Sequence, residues 1–558
     1  MDNFEIADAF SLLSRLMDIH GENSFKVKSY ANAAYTIEKL PGRLEDMPRE
    51  KIFSIKGIGE ATGKKIIEMM DTGKLAVLEE YIAKTPPGII EMLLNIKGLG
   101  AKKIAIIWKE MGLESIGELL YACNENRLSL YKGFGEKTQK NVKESIEFYQ
   151  RSQGNFLYAQ VEAYTLALQA QLEKTLPAHQ FRLTGAFRRQ LETLHALEWV
   201  TTAGLPVLEA FFNTLNYKIS EQTEAYVSFE SEGAIRLVFY FASDANTGSI
   251  LFQTSCSPEF MDEWEKRFPS SKLSTDENDI FADAAVSYIP PCRRELPSII
   301  DRSGGNPPVN LIQPSDIKGI IHSHSNWSDG SFSIEEMAQA AIQQGFEYLV
   351  ISDHSKSAFY ANGLQEDRLK EQHVYIDSLN EKLRPFKIFK SIEADILNDG
   401  SLDYEDRILA TFDLVIASVH SNLKMTEEKA MQRLLNAVKN PFTTILGHMT
   451  GRLLLSRNGY PVNHHVLIDA CIANNVAIEL NAHPRRLDID WRFIDYALQK
   501  GGIISIDPDA HAIDGYADIR YGVLAAQKGG VSPVQNLSSY TLEQFEQYLQ
   551  ERKILKGI

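Results

Sequence analysis

Beyond residue 317, short apolar runs alternate with longer stretches in which apolar residues recur every three to four positions. The stretch 334–342 shows the second spacing, which is typical of an amphipathic helix. The strand-like runs are residues 318–321, 348–351, 414–417, 444–446, 476–480 and 502–506. Repeated units of a strand followed by a helix predict a parallel sheet, here closed into a barrel.

The first 150 residues repeat another pattern, in which one apolar residue stands between two glycines before a lysine-bearing helical run. Its copies lie at 55–59, 96–100 and 131–135, without a strong strand pattern between them. A single Gly-x-Gly before a helix is more often a simple tight turn, but repetition favours a shared role. We therefore predict an all-helical region built around these turns.

Each of these glycine turns resembles the helix-hairpin-helix motif, which holds DNA without recognising its sequence. Glycine allows positive φ and exposes backbone N–H groups at a helix N-terminus, where a phosphate can bind. The third copy departs more from the motif, and we treat it as a structural relative. The predicted DNA-binding residues are Gly57, Gly59, Lys64, Gly98, Gly100, Lys102 and Lys103.

The length of 558 residues exceeds one typical core and predicts three or more domains. The 44% hydrophobic and 24% charged fractions are typical of a soluble globular protein. The first residues carry acids where a signal peptide would be apolar, and no run approaches the roughly 20 apolar residues of a membrane span. We expect a cytoplasmic monomer without a membrane partner. The four cysteines are far apart and indicate neither a disulfide framework nor a zinc finger.

The net charge of −16 argues against a protein that coats DNA indiscriminately, because such affinity comes from neutralising phosphates. Any contact with DNA must therefore be local. The acidic balance is most simply a solubility feature, although clustered acids would favour a metal site.

The segment 185–198 resembles the nucleotide-binding and metal-binding strands of family X DNA polymerases, which carry Gly-Ser-x-Arg-Arg followed by Asp-x-Asp. Nucleotide transfer needs two or three carboxylates that hold a pair of divalent ions. Here alanine replaces the serine and one aspartate, glutamate replaces the other, and the next predicted strand, 234–241, contains no acid. The residues of this apparently degenerate site are Ala186, Arg188, Arg189, Ala196 and Glu198.

The resemblance to family X polymerases extends across residues 150 to 300. The run 288–295 resembles the segment that closes the thumb, and 250–256 lies where the family has its nucleotide-gating segment, from which Gln253 and Ser255 depart. Arg188 and Arg189 remain as arginine forks that either bind a primer terminus or support the fold. The middle of the chain is therefore predicted to be a palm and thumb without nucleotide transfer.

Residues 23–37 resemble the family X amino-terminal domain, which recognises a 5′-phosphate in a gap. Some relatives use a lysine there as a Schiff-base nucleophile on abasic sugars, and Lys65 falls at the matching position. Such chemistry requires a lowered lysine pKa, so a phosphate-binding lysine is the simpler interpretation. Lyase activity of Lys65 is a secondary hypothesis.

Histidines and acids stand at nearly every predicted strand end of the last third. Residues two apart on a strand face the same side, so His322 and His324 can converge on one ion. Strand ends also meet at one mouth of a barrel, where such folds place their chemistry. The candidate metal ligands are His322, His324, Asp329, His354, Glu393, His420, His448, Asp509 and His511.

These strand-end motifs resemble the polymerase-and-histidinol-phosphatase (PHP) domain of bacterial family X polymerases. They include His-x-His-x-x-x-Ser-Asp-Gly, Ser-Asp-His-Ser, Glu-Ala-Asp-Ile-Leu, Gly-His-Met-Thr-Gly-Arg and Asp-Ala-His. The resemblance implies three ligand groups. They are His322, His324, Glu393 and Asp509; Glu393, His420 and His448; and Asp329, His354 and His511.

Mixed imidazole and carboxylate ligands suit Zn²⁺, Mn²⁺ or Fe²⁺ and not Ca²⁺, and such ions can activate water against a phosphate ester. By its place in the motif, Arg452 is expected to grip a phosphate. His483 is a weaker site candidate, for which a structural role in its loop is equally consistent with the sequence.

The predicted fold is multidomain: an all-α helix-hairpin-helix region (1–150), an α/β (α+β) nucleotidyltransferase-like palm and thumb (151–300), a linker (301–316), and a distorted (β/α)7 PHP barrel (317–558). The predicted function is a DNA-repair enzyme, a metal-dependent phosphoesterase and 3′–5′ exonuclease that uses up to three divalent ions on DNA gaps or 3′ ends. The alternatives are an active polymerase with a rearranged site, a non-catalytic scaffold that binds DNA ends, and a barrel that hydrolyses a small phosphate ester.

Overall fold

The computed structural model describes residues 3–38, 40, 43–151, 154–231, 233–269, 272–303 and 310–558. Within the predicted linker, residues 304–309 lie outside this description. The chain forms two compact units, of which the first comprises Met1–Asn124 and Leu128–Tyr149. The second comprises Glu125–Arg127 and Gln150–Ile558.

The first unit is helical throughout its described residues, as its glycine-hairpin pattern predicts. In the first helix, Ile6, Phe10, Leu13 and Met17 follow at intervals of three to four and are fully buried. The helices are α1 (Asn3–His20), α2 (Ser24–Glu38), α3 (Arg49–Ile52), α4 (Glu60–Thr72), α5 (Ala76–Ala83), α6 (Pro87–Asn95), α7 (Ala101–Lys109), α8 (Ile116–Asn124) and α9 (Glu136–Arg151).

The second unit begins with a mixed α/β region. Its elements are β1 (Phe156–Leu157), α10 (Tyr158–Thr175), β2 (Phe181–Thr184), α11 (Gly185–Arg188), β3 (Thr193–Leu194), β4 (Ala196–Thr201), α12 (Leu205–Asn213), β5 (Lys218–Gln222), β6 (Tyr226–Glu230), β7 (Arg236–Phe241), α13 (Thr247–Thr254), α14 (Pro258–Arg267), α15 (Glu277–Asp283) and α16 (Ser298–Ser303). Its main sheet has the order β2-β4-β7-β6-β5, with β4 and β7 parallel. Trp199 stacks on Phe239 across this pair, with ring centroids 5.2 Å apart, and centres the core of the region.

The last part of the second unit alternates strands and helices. Its strands are β8 (Gly319–Ser323), β9 (Tyr348–Ile351), β10 (Lys387–Lys390), β11 (Glu393–Asp395), β12 (Val415–Ser418), β13 (Thr443–Leu446), β14 (Ala477–Asn481) and β15 (Ile504–Asp507). Its helices are α17 (Ile334–Gln343), α18 (Glu366–Lys382), α19 (Asp406–Leu409), α20 (Glu427–Lys439), α21 (His464–Ala473), α22 (Trp491–Gln499), α23 (Ile519–Gly529) and α24 (Leu542–Lys556).

These strands form two parallel sheets, β10-β9-β8 and β11-β12-β13-β14-β15, that close on each other. Single parallel bridges join Ser323 to Ala510 and His354 to Glu393. Because only two residues separate β10 from β11, the barrel has seven strand positions. The apolar pattern of the sequence predicts six of them and not the seventh, at 387–395, where lysines and acids interrupt the apolar run.

The predicted multidomain fold is therefore confirmed: helical at the start, mixed α/β in the middle, and parallel in the C-terminal barrel. The four cysteines are free and buried. Across the described ranges, none of the helices has the length and apolar character that crossing a membrane requires.

Candidate metal centre

The nine predicted ligands meet at the carboxyl-terminal rim of the barrel. His322 and His324 end or follow β8, His354 follows β9, and Glu393 begins β11. The ligands after β12, β13 and β15 are His420, His448, Asp509 and His511. All nine side chains are almost completely buried, and the most exposed, His420, shows 12% of its surface. Parallel topology brings these distant segments together, because the strand ends share one rim.

The first group of ligand atoms surrounds Asp509. Its Oδ1 lies 3.1 Å from Nε2 of His324 and 3.5 Å from Nε2 of His322. The ligand atoms of these three residues lie close enough together to bind one ion. Glu393 Oε1 lies 3.4 Å from Nε2 of His322, so the fourth residue of the implied group is also adjacent.

Glu393 connects the groups. Its Oε1 lies 3.1 Å from Nε2 of His420 and 3.0 Å from Nε2 of His448. Its Oε2 lies 3.0 Å from Nδ1 of His354. The geometry therefore adds His354 to the neighbourhood of the second implied group, since this ring faces both Glu393 and the third group.

Asp329 gathers the third group. Its Oδ2 lies 3.5 Å from Nε2 of His354, and its Oδ1 lies 3.5 Å from Nε2 of His511. His324 Nδ1 lies 4.0 Å from the same Oδ1. His324 thus stands between two groups, one at each ring nitrogen, which the sequence pattern did not predict.

The donor set fits divalent cations. Several buried nitrogen and oxygen atoms that face the centre have no hydrogen-bond partner among the described residues, a costly state that a cation would relieve. They are Nε2 of His322, Nδ1 of His324, Oδ2 of Asp329 and Nε2 of His511. Imidazole with carboxylate is the ligand chemistry of Zn²⁺, Mn²⁺ and Fe²⁺.

Neighbouring opposite charges shift the pKa values of the ionisable groups in the centre. Burial by itself would lower the pKa of His420, but Glu393 and Asp395 raise it to about 9. Burial likewise opposes protonation of His511, whose pKa Asp329 raises to about 9. Burial would raise the pKa of Glu393, but the neighbouring histidines hold it well below its usual range. His420 and His511 therefore bind a proton readily when no cation is near.

Further buried acids lie behind these ligands, and two of them, Asp395 and Glu479, contact ligand imidazoles directly. His420 Nδ1 donates to Asp395 at 2.5 Å, and His322 Nδ1 donates to Glu479 at 2.6 Å. Asp353 accepts hydrogen bonds from the Ser325 backbone N–H at 2.8 Å and from Gln372 at 2.7 Å. Asp395 lies two residues from Glu393, so period-two alternation is the signal that could have revealed it.

Arg452 lies beside the centre but is engaged within the protein. Its guanidinium donates to Asp490 Oδ2 at 2.7 Å, to the Arg486 carbonyl at 2.9 Å and to the Leu487 carbonyl. It also lies 3.4 Å from Glu192 of the palm-like region. These contacts fasten the loop after β14; the predicted phosphate contact of Arg452 stays a prediction.

His483 is a half-buried member of the same loop. Its Nδ1 accepts a hydrogen bond from the Arg485 backbone N–H at 3.2 Å. Burial, reinforced by Arg485 and Arg486, lowers its pKa to about 3. The ring therefore helps to shape the loop.

At the polymerase-like site, the carboxylate of Glu198 covers the start of α11. The backbone N–H of Ala186 donates to its Oε2 at 2.9 Å, and the Tyr240 hydroxyl donates to its Oε1 at 3.0 Å. Gly185 has φ of +63°, and a Cβ there would lie 1.6 Å from the same Oε2. Ala196 pairs with Arg236 of β7. The carboxylate at this predicted nucleotide site thus contacts backbone and hydroxyl donors of the protein itself.

The two retained arginines form ion pairs inside this region. Arg188 donates to both oxygens of Glu277, at 2.9 and 2.5 Å, and to Ser255 Oγ at 2.7 Å. Arg189 donates to Glu295 at 2.9 Å. Of the two interpretations from sequence, these contacts support the role in the fold.

The three glycine turns share one geometry. Gly57, Gly98 and Gly133 have φ of +96°, +86° and +96°, which a side chain would strain. The second glycines of the first two copies, Gly59 and Gly100, immediately precede α4 and α7. The third copy, before α9, resembles the first two more closely than its sequence predicts.

The lysines near the turns differ in their surroundings. Lys64 is exposed and lies 2.7 Å from Glu60. Lys102 is exposed, Lys65 is half-buried on α4, and Lys103 Nζ lies 5.7 Å from the centroid of the Phe134 ring.

Three segments match family models. Residues 1–75 match a helix-hairpin-helix domain, residues 90–147 match a SAM-like helix-hairpin-helix tandem, and residues 321–483 match the PHP domain.

Curated relatives cover both the whole chain and the barrel. The Bacillus subtilis protein named DNA polymerase/3′-5′ exonuclease PolX is 33% identical over 98% of this chain and 99% of its own length. A probable phosphatase of Caldanaerobacter subterraneus is 30% identical over 29% of this chain and 60% of its own length. A probable phosphatase of Thermoanaerobacter is 25% identical over 42% of this chain and 94% of its own length.

Proposed function

The chain belongs to the family X DNA polymerases that carry a C-terminal PHP domain, and from this premise we propose that it is a DNA-repair enzyme with 3′–5′ exonuclease activity in its barrel. The observation that carries the proposal is the convergence of nine buried histidines and acids on one rim. Both the full-length exonuclease relative and the probable phosphatases support hydrolysis of phosphate esters.

The nine candidate ligands would hold up to three ions. His322, His324, Asp509 and Glu393 would hold one ion, and Glu393 with His420 and His448 a second. Asp329, His354 and His511 would hold a third. When bound, divalent ions supply the positive charge that activates water and neutralises phosphoryl oxygens. The chain keeps its imidazoles oriented through Asp395 and Glu479 and excludes bulk water by burying the centre.

DNA is the proposed substrate, because the glycine turns would serve no purpose for a small phosphate ester. The turns at Gly57 and Gly98 lie just before the N-termini of α4 and α7. Lys64, Lys102 and Lys103 follow on these helices. Such sites hold backbone phosphates at gaps or 3′ ends. Lyase chemistry at Lys65 stays a secondary hypothesis.

We further propose that the palm-like module transfers no nucleotide. Glu198 is the single acid at the two Asp-x-Asp positions, and it is engaged by Ala186 and Tyr240. Arg188 and Arg189 are paired with acids. The proposed modules keep the predicted bounds of 1–150, 151–300 and 317–558.

The test is a nuclease assay with full-length protein, Mn²⁺ and a 5′-labelled duplex with a recessed 3′ end. We expect release of nucleotides from the 3′ end, with at least a 100-fold loss in His322→Ala and Asp509→Ala. The matched control is His179→Ala, a half-buried histidine after α10, which should keep wild-type activity.

Each alternative function predicts a different result. A wild-type protein that binds Mn²⁺ and DNA ends but releases no nucleotide would be a scaffold. Faster hydrolysis of a sugar phosphate than of the recessed 3′ end would identify a small-molecule esterase. Either result overturns the proposal.

A further inference from the structure

Glu479 is a fully buried acid on β14 whose carboxylate faces the metal centre. Its Oε2 lies 2.6 Å from Nδ1 of His322. Its Oε1 accepts hydrogen bonds from the His448 backbone N–H at 2.9 Å and from Asn481 Nδ2 at 3.1 Å. One side chain therefore contacts ligand-bearing segments that follow two different strands.

The contact with His322 selects the tautomer of that ring. A carboxylate only accepts hydrogen bonds, so Nδ1 of His322 must carry the proton that it donates. Nε2, which lies 3.4 Å from Glu393 and 3.5 Å from Asp509, is then the ring nitrogen left to bind a cation. An imidazole binds a metal only through such an unprotonated nitrogen.

Glu479 also acts on a third strand through Asn481. The Asn481 amide donates to Glu479 Oε1 and to Oδ2 of Asp509, in each case at 3.1 Å. Because this hydrogen bond engages Oδ2 of Asp509, the other carboxylate oxygen, Oδ1, faces His322 and His324. The network thus orients ligands from β8, β13 and β15 at once.

We propose that Glu479 is the positioning residue of the metal centre: it fixes the His322 tautomer and aligns His448 and Asp509, and so sets the affinity for the ions. The inference rests on the proposed function only in identifying the centre as a metal site. Burial of a carboxylate is unfavourable unless its partners compensate, and the partners of Glu479 are all in or next to the metal centre.

The isosteric variant Glu479→Gln tests the role, because an amide offers one acceptor oxygen and one donor group. In either orientation it places a donor against His322 Nδ1 or against the His448 N–H. We expect isothermal titration of EDTA-treated, full-length protein with Mn²⁺ to show 10- to 100-fold weaker binding. The Mn²⁺ concentration for half-maximal nucleotide release should rise by a similar factor.

Two further variants separate positioning from folding. Glu277→Gln removes another buried carboxylate, which contacts Arg188 and Arg294 away from the barrel. It should lower the melting temperature and leave Mn²⁺ affinity unchanged. Glu479→Asp keeps the acceptors on a shorter side chain, and it should bind Mn²⁺ with intermediate affinity; it serves if the glutamine variant does not fold.

Wild-type Mn²⁺ affinity in Glu479→Gln, or in Glu479→Asp if only that variant folds, would overturn the inference. An equal loss in Glu277→Gln would overturn it too. If the wild-type protein binds Mn²⁺ without releasing nucleotides, the proposed function fails, while the affinity comparison still decides the role of Glu479.

Discussion

The carboxylate of Glu198 accepts a hydrogen bond from the backbone N–H of Ala186 at 2.9 Å. The sequence predicts a degenerate nucleotide site at this helix start, and a side chain of the protein itself lies against it. Glycine at 185 is required for this approach, because a Cβ would overlap the carboxylate.

We predict that the wild-type protein adds no labelled deoxynucleotide to gapped DNA in Mg²⁺ or Mn²⁺. The variant Ala196→Asp/Glu198→Asp should also be inactive, because β7 supplies no third acid and Arg188 and Arg189 remain ion-paired. Primer extension on a one-nucleotide gap measures this. Templated extension by the wild type that Glu198→Ala abolishes would show that nucleotide transfer persists.

Metal binding should depend on pH. In the metal-free protein, acids raise the pKa of His420 and His511 to about 9, above the usual value of about 6.5. The raised values stabilise the metal-free fold below pH 6.5, and this contribution is lost as pH rises through about 9. Because ligation requires neutral imidazole, Mn²⁺ affinity should rise over the same window.

Calorimetry at pH 7 and 8.5, in buffers with different ionisation enthalpies, counts the protons that Mn²⁺ displaces. His420→Asn should release fewer protons than the wild type. Affinity that stays constant between these pH values contradicts the prediction.

Lys528 should anchor the barrel to the palm-like region. Its side chain is completely buried, and Nζ donates to the Arg189 carbonyl at 2.8 Å and lies 3.3 Å from Glu295. Lys528→Met removes the donor to the buried Arg189 carbonyl, while Glu295 keeps its ion pair with Arg189, and the change should cost about 2 kcal/mol. Thermal unfolding should show a midpoint several degrees lower, whereas exposed Lys439→Met should change the midpoint little.

Arg452 should contribute to stability through the loop after β14. Lysine at this position cannot reproduce the forked contacts with Asp490, the Arg486 carbonyl and the Leu487 carbonyl. We expect Arg452→Lys to lower the unfolding free energy by about 2 kcal/mol. Denaturant titration measures this loss; unchanged stability with a raised KM for DNA would instead assign the residue to phosphate binding.

The hairpin lysines should control the salt dependence of DNA binding. Each phosphate contact contributes about 0.9 to the slope of log affinity against log salt. The variant Lys102→Ala/Lys103→Ala should therefore reduce the slope by up to about 2. Lys218→Ala, an exposed lysine on β5, is the control. An unchanged slope in the hairpin variant would place the DNA path elsewhere.

Local patterns were informative where one segment carries its own signal. The glycine turns predicted Gly57 and Gly98 at positive φ, because only glycine adopts that conformation without strain. The apolar runs predicted six strand positions of the barrel. The segment 387–395 does not show this pattern, because its two short strands, β10 and β11, belong to different sheets. In β11, Glu393 and Asp395 also carry carboxylates toward the metal centre.

By itself, the sequence determined the kinds of element and placed histidines and acids at the strand ends, and it predicts a polymerase-like site with few acids. The tertiary structure alone decided which atoms meet: Glu479 with His322, Glu198 with the N–H of Ala186, and Arg452 with Asp490. The reason is physical. Propensity and periodicity act over a few residues, whereas hydrogen bonds of buried groups depend on distances between segments that are far apart in the chain.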